Sequence, residues 1–246
     1  EIEFLTDRTP FYGESGGQKG DSGLASNESV RLSLDDTTKQ MPGLIVHKAK
    51  IISGTLRNGE TLKLEVNPQV RGDTALNHSA THLLQAALKE VLGEHIKQAG
   101  SLVASDRLRF DYTHFSPLTD KERVRIESRV NEKIRDNIQV DTQEMNVDTA
   151  IKNGAVALFG EKYGDTVRVV DVPGFSKELC GGTHVTATGD IGVFRITSEG
   201  SIASGVRRIE AVTGATAYNT IRSEQESLTE IRDLLKAPSN EEIMKL

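Results

Sequence analysis

The sequence predicts an α+β chain in three parts: a small β-barrel over residues 1–72, a mixed α/β core over 73–214 and a C-terminal helical extension over 215–246. Three observations carry this reading. Up to about residue 70, short apolar runs are broken by Gly, Asn, Asp and Pro clusters, the texture of strands and tight turns. From Asp73 onward, helical apolar spacing alternates with strand-like runs. In the tail, Ile221, Leu228 and Leu235 recur at seven with Ile231 between them, which reads as the start of a helical hairpin or coiled coil.

Taken in order, residues 1–5, 29–34, 44–53 and 61–66 read as strands. Between the first two lies a glycine-rich segment, 9–23, which matches neither standard phosphate-loop spacing and suits either a surface turn or a loop that approaches a ligand. Residues 73–92 carry Leu76, Ala80, Leu83, Leu84, Ala87 and Val91 at spacings of three and four, a helix that Gly93 ends. A strand at 102–112 follows. The capping box Thr119-Asp120-Lys121-Glu122 then opens a helix to about Asn137, and a shorter helix lies near 149–153. Residues 167–172, 193–198 and 206–212 read as strands. The basic residues on the 119–137 helix interleave with Glu122, Glu127 and Glu132, the pattern of a solvated face. The chain begins at Glu1 rather than Met, and the capping box Ser239-Asn240-Glu241-Glu242 opens a helix just before Leu246, so a piece of a longer polypeptide is expected.

At 246 residues the chain can bury a substantial core. It has one cysteine, no secretory leader and no apolar run of membrane-spanning length, which points to a reducing, cytoplasmic setting and no membrane partner. The net charge of −6 argues against indiscriminate nucleic-acid binding but leaves room for a local basic face, such as Arg207-Arg208.

The chemistry concentrates in two pairs, His78-Ser79-Ala80-Thr81-His82 and Cys180-Gly181-Gly182-Thr183-His184. Imidazole and thiolate are the ligands that zinc prefers, and the two pairs supply four positions of a tetrahedral site. At roughly 100° per residue, His78 and His82 lie about 40° apart, nearly opposite the apolar stripe, on a face shared with Thr81, Gln85 and Lys89. Histidines so placed line a cleft rather than fill a core. Ser79 stands where zinc-protease helices carry a catalytic Glu, which disfavours peptidase chemistry. Gly181-Gly182 disfavours helix and suits a turn that brings backbone N–H groups close to a ligand.

The blocks Phe11-Tyr12-Gly13-Glu14-Ser15-Gly16-Gly17-Gln18, Asn77-His78-Ser79-Ala80-Thr81-His82-Leu83-Leu84, Gln98-Ala99-Gly100-Ser101, Ala157-Leu158-Phe159-Gly160-Glu161-Lys162-Tyr163-Gly164-Asp165, Leu179-Cys180-Gly181-Gly182-Thr183-His184 and Gly205-Val206-Arg207-Arg208-Ile209-Glu210 together resemble the editing region of bacterial alanyl-tRNA synthetases, in family order and over nearly the whole chain. The resemblance implies hydrolysis of the ester in Ser-tRNA(Ala) and Gly-tRNA(Ala), with the tRNA(Ala) acceptor end and the rest of the synthetase chain as partners. No class II aminoacylation core is recognisable, so charging of tRNA is not expected. Free-standing editing proteins of the same family, and a non-catalytic tRNA-binding module with a structural zinc, are the alternatives.

A pocket that accepts serine and refuses the smaller alanine cannot work by size and must read the hydroxyl. Thr81, on the histidine face, is the first candidate reader, and Gln98, matching the family's pocket glutamine, is the second. Gly181 and Gly182 are expected in the substrate pocket. Arg207 and Arg208, on opposite faces of one strand, offer at most one side chain to the cleft and are expected to meet tRNA phosphate. Four protein ligands would leave zinc no open position, so a metal that only orients and a loosely held Cys180 both remain open.

Overall fold

The computed structural model describes residues 1–41, 43–157, 163–236 and 239; residues 158–162 of the family block 157–165 and the helix expected after Pro238 lie outside these residues. Five antiparallel strands open the chain: β1 (Ile2–Phe4), β2 (Gly23–Ser26), β3 (Val30–Met41), β4 (Leu44–Gly54) and β5 (Lys63–Val66), in the spatial order β1-β4-β3-β2-β5. No ladder joins the edge strands β1 and β5, so the expected closed barrel is not formed among the described residues. Val30, Leu32 and Leu34 alternate inward and, with Phe11, Ala25 and Ala49, form the buried face of this sheet. β3 runs to Met41 rather than stopping at 34; its second half is largely polar and pairs with β4 through the backbone ladder and through the ion pairs Asp35–Lys50 and Asp36–Lys48. Gly23 starts β2, with β5 so close that no side chain fits there.

Helix α1 (Pro68–Leu92) begins five residues before the apolar stripe suggests. Asn67 caps it, accepting from the backbone of Gln69 and Val70, and Pro68 supplies a preset first turn. Gly93, at φ +113°, ends it as expected. A hairpin follows, β6 (Gln98–Val103) and β7 (Leu108–Thr113), where the sequence suggested one strand; its turn closes by Ala104 N–H donating to Arg107 C=O.

Helix α2 (Asp120–Arg135) carries the capping box at Thr119 and Glu122 and buries Ile126, Val130 and Ile134, one residue per turn. Each contributes about 1.5–3 kcal/mol of burial, which decides how the helix docks while its charged residues face water.

β8 (Asp141–Asn146), α3 (Val147–Lys152), β9 (Thr166–Val172) and β10 (Ser176–Leu179) form a second unit, a three-stranded sheet ordered β10-β9-β8 with α3 packed on β8 and β9. β8 reads Asp-Thr-Gln-Glu-Met-Asn, an edge strand with no apolar alternation to betray it. After a 3-10 turn (Thr188–Ile191), β11 (Phe194–Ala203) and β12 (Val206–Thr213) complete a sheet ordered β11-β12-β7-β6. Helices α1 and α2 pack on this sheet and on each other, enclosing the main core of Leu83, Leu84, Leu88, Phe110, Tyr112 and Ile209.

Helix α4 (Gly214–Leu234) ends the described fold, with Ala217 its one buried residue. Leu228 and Ile231 stand 47% and 46% exposed, so the repeat read as a coiled-coil seam faces solvent among the described residues. No helix of the described residues is long and apolar enough to cross a membrane.

Candidate metal centre

The polar face of α1 is buried rather than open. His78, Thr81, His82 and Gln85 are each 4–6% exposed, because other elements cover that side of the helix as well as the apolar stripe. One cover is the turn leaving β10, which carries Cys180 and His184. One ligand atom from each of His78, His82, Cys180 and His184 falls within a group no wider than 4.8 Å. The Cys180 Sγ lies 3.4 Å from His78 Nε2 and 3.2 Å from His184 Nε2. Tetrahedral zinc, with bonds of about 2.0–2.3 Å, sets its ligands about 3.3–3.7 Å apart, so these spacings and the three-nitrogen, one-sulfur donor set fit zinc.

His78 and His184 are each braced by a hydrogen bond on the side away from the cluster. His78 Nδ1 lies 2.6 Å from the Gln18 Oε1, and His184 Nδ1 lies 3.0 Å from the Ser79 hydroxyl, which also accepts from Val185 N–H. His82 Nδ1 faces the buried Glu178 carboxylate at 3.8 Å, and Ser176 Oγ donates to the other oxygen of that carboxylate. Arg168 donates to the carbonyls of Cys180 and Gly182 and so holds the turn.

Electrostatics follow from this packing. Burial pushes the Cys180 thiol up, but the charge of His78 and hydrogen bonds from the three imidazoles outweigh it and hold the thiol well below its usual range. Burial likewise lowers His82, yet Glu178 and the neighbouring sulfur carry it up to about 9. Burial and the charge of His78 push His184 down to about 3, which keeps it a neutral donor. The Cys180 thiolate and the neutral His184 imidazole are in the form that a divalent cation takes up, whereas His82 gives up a proton on binding one.

Three of the cluster, His78, His82 and Cys180, line a cavity of about 370 Å3, together with Thr81, Gln98, Gly181, Tyr12 and Lys39. A larger groove of about 710 Å3 runs along Lys89, Arg129 and Phe175; Glu178 lines both spaces, but His78, His82 and Cys180 border only the smaller one. Thr81 Oγ1 donates to Asn77 C=O at 2.8 Å, so its proton is committed to the helix and its lone pairs remain. Gly181 has open space where a side chain would stand, whereas Gly182 lies against the His78 ring and Gln18.

The two arginines are not brought to the cavity. Arg207 forms a two-point ion pair with Glu199, and Arg208 another with Asp111 at 2.7 and 2.8 Å. The residues that motif reading passed over are the braces. Gln18 stands inside the glycine-rich segment and Ser79 between the paired histidines, and both were visible as motif members without a role. Glu178 and Arg168 left no local signal, since only the pairing of β10 with β9 brings them to the cluster.

Two family models match the chain: "Threonyl and Alanyl tRNA synthetase second additional domain" at residues 167–210, and "tRNA synthetases class II (A)" at residues 1–70. The second falls on the five-stranded sheet, where no class II feature was recognised from the sequence. Among relatives, the alanine–tRNA ligase of Desulfosudis oleivorans (strain DSM 6200 / JCM 39069 / Hxd3) is 55% identical over 236 residues, 96% of this chain and 27% of the ligase. That of Xanthomonas axonopodis pv. citri (strain 306) is 53% identical over 246 residues, 100% of this chain and 28% of the ligase. The chain therefore spans a little over a quarter of the length of these relatives. Identity above half along nearly the entire chain, with two synthetase models matched in order, places it as a segment of the alanyl-tRNA synthetase family.

Proposed function

We propose that the cavity is an editing site that hydrolyses the ester of Ser-tRNA(Ala) and Gly-tRNA(Ala) within an alanyl-tRNA synthetase. The observation that supports this reading most is the small cavity itself, which combines three of the four clustered ligands, His78, His82 and Cys180, with Thr81 and Gln98 in one lining. His78, His82, Cys180 and His184 would hold zinc, which when bound supplies Lewis acidity and fixed positive charge beside the ester.

The other roles follow from the side chains. Thr81, its proton given to Asn77, reads serine by accepting from the seryl hydroxyl; an alanyl methyl leaves that lone pair without a donor. The glycyl ester is small enough to enter. Gln98 offers an amide that donates to the ester carbonyl or to the positioned water. The acceptor end of tRNA(Ala) and the remaining synthetase chain are the partners. Arg208, whose side chain is 31% exposed, is the better placed of the two arginines to meet phosphate. A reducing, cytoplasmic setting suits a site built on a thiolate.

Four protein ligands form a closed set, and that observation favours a second reading, a tRNA-binding module whose metal is structural. Incubation with Ser-tRNA(Ala) separates the two. An esterase releases serine and spares Ala-tRNA(Ala), whereas a binder protects the ester, and protection would overturn the editing assignment.

A further inference from the structure

We infer that Gln18 is a positioning residue of the metal centre: it dictates which nitrogen of His78 is free to bind and ties the glycine-rich loop to the ligand turn. The inference rests on the metal-site reading above. Gln18 is fully buried, in an interior where every polar atom needs a partner. Its side chain makes three contacts. Thr183 N–H donates to Oε1 at 2.8 Å, Nε2 donates to the Thr183 hydroxyl at 2.9 Å, and His78 Nδ1 lies 2.6 Å from the same Oε1.

These contacts fix the protons. A backbone N–H can only donate, so the Gln18 atom facing it is the carbonyl oxygen and the amide cannot be turned the other way. That oxygen has no proton to offer, so His78 Nδ1 must be the donor across the 2.6 Å contact. With the Nδ1 proton held there, Nε2 is the nitrogen left to bind a metal, and it lies 3.4 Å from the Cys180 Sγ. The same deduction fails for His184, because the Ser79 hydroxyl can both donate and accept. Among the described braces, Gln18 is the acceptor-only group within hydrogen-bond distance of a cluster histidine, since the Glu178 carboxylate stands 3.8 Å from His82 Nδ1.

The loop that delivers Gln18 is anchored rather than loose. Lys19 N–H donates to Val103 C=O and Val103 N–H to Gly17 C=O, so the segment is sewn to β6. Gly17, at φ +86°, lies against Ser101, and only glycine combines that backbone with so close an approach. The residues preceding α1 by some fifty positions thus complete the site, and Gln18 joins the N-terminal sheet, α1 and the β10 turn at one amide.

The test measures zinc affinity by chelator competition, and histidine tautomers by nitrogen-15 NMR, in the wild-type protein and in Gln18→Leu, Gln18→Glu and Thr183→Val. Gln18→Leu removes the acceptor and should lower zinc affinity about 10- to 100-fold and mix the His78 tautomers. Gln18→Glu keeps an acceptor for both donors and should restore affinity and tautomer. Thr183→Val removes only the hydroxyl contact and should bind zinc as the wild type does. Wild-type protein that takes up no zinc would overturn the metal reading beneath the proposal. Wild-type uptake with Gln18→Leu equal to it in affinity and tautomer would overturn the role of Gln18 alone. A Thr183→Val loss as large as that of Gln18→Leu would also overturn it, since turn packing would then be the cause.

Discussion

Replacing Gly182 by Ala probes the centre with one methyl group. The added Cβ would stand 2.6 Å from the Gln18 oxygen and would clash with the Cε1 and Nδ1 atoms of the His78 ring. An ordinary contact needs about 3.4 Å, so the amide must retreat by about 0.8 Å and the imidazole by more. His78 cannot move along α1, whose backbone is fixed by packing on both sides, and Gln18 is held by Thr183. Overpacking of this kind costs about 1–3 kcal/mol. For a chain of this size that lowers the melting temperature by about 2–12 °C. Displacing one ligand and its brace should in addition lower zinc affinity at least about 10-fold. Gly181→Ala is the control, because nothing lies within 4 Å of its Cβ position. It should keep wild-type stability and zinc affinity. Thermal denaturation of metal-free protein, with chelator competition for zinc, reads both effects. A Gly182→Ala protein matching wild type in both would refute the packing described for the turn.

Other outcomes follow from single contacts. Thr81→Val keeps shape and deletes the accepting hydroxyl, so serine release should fall about 2- to 13-fold with glycine release unchanged; an unaltered ratio of the two would assign the hydroxyl to another reader. His47 is buried, bonded through Nε2 to Thr9 Oγ1, and burial holds its pKa below the ordinary 6.5, with a backbone contact to Phe4 opposing only part of that shift. The unfolded chain therefore binds the proton more readily, so stability is full above pH 6.5 and declines as pH falls below it. His47→Asn should flatten that slope in denaturant midpoints measured across the range, and an unchanged slope would place the acid sensitivity elsewhere. Arg207→Met strands the Glu199 carboxylate, only 10% exposed, and should cost about 1–3 kcal/mol without altering tRNA binding. Arg208→Met strands the equally buried Asp111 carboxylate, so it should also cost about 1–3 kcal/mol, and in addition it should reduce the salt dependence of tRNA binding by about one charge. Equal effects of the two arginines on tRNA would contradict this division.

What the sequence made legible followed from periodic signals. The phase of His78 and His82 on α1, the stop at Gly93 and the capping box at Thr119 are short-range patterns, and each recurs in the structure. Asn67-Pro68 was an equally local cap and first-turn signal, passed over because the apolar stripe begins later. Illegible parts depend on pairing across the chain. β8 is polar apart from Met145, and the second half of β3 alternates too weakly to announce a strand. Whether five strands close into a barrel depends on edges that no single segment encodes, and here they stay apart. The four ligands were readable from residue type and spacing, and the structure brings them together. Their braces were not, because Gln18 and Thr183 are 165 positions apart and Glu178 reaches His82 only through the fold.

Titration of the metal-free protein with Co2+ examines the four-ligand centre most directly. Cobalt reports coordination in its visible spectrum and thiolate ligation in its charge-transfer absorption. One equivalent should bind with tetrahedral bands and a thiolate charge-transfer band, and Cys180→Ser should lose that band while His78→Ala and His82→Ala weaken uptake. Substoichiometric binding, or a wild-type spectrum without the thiolate band, would contradict a single centre built from His78, His82, Cys180 and His184.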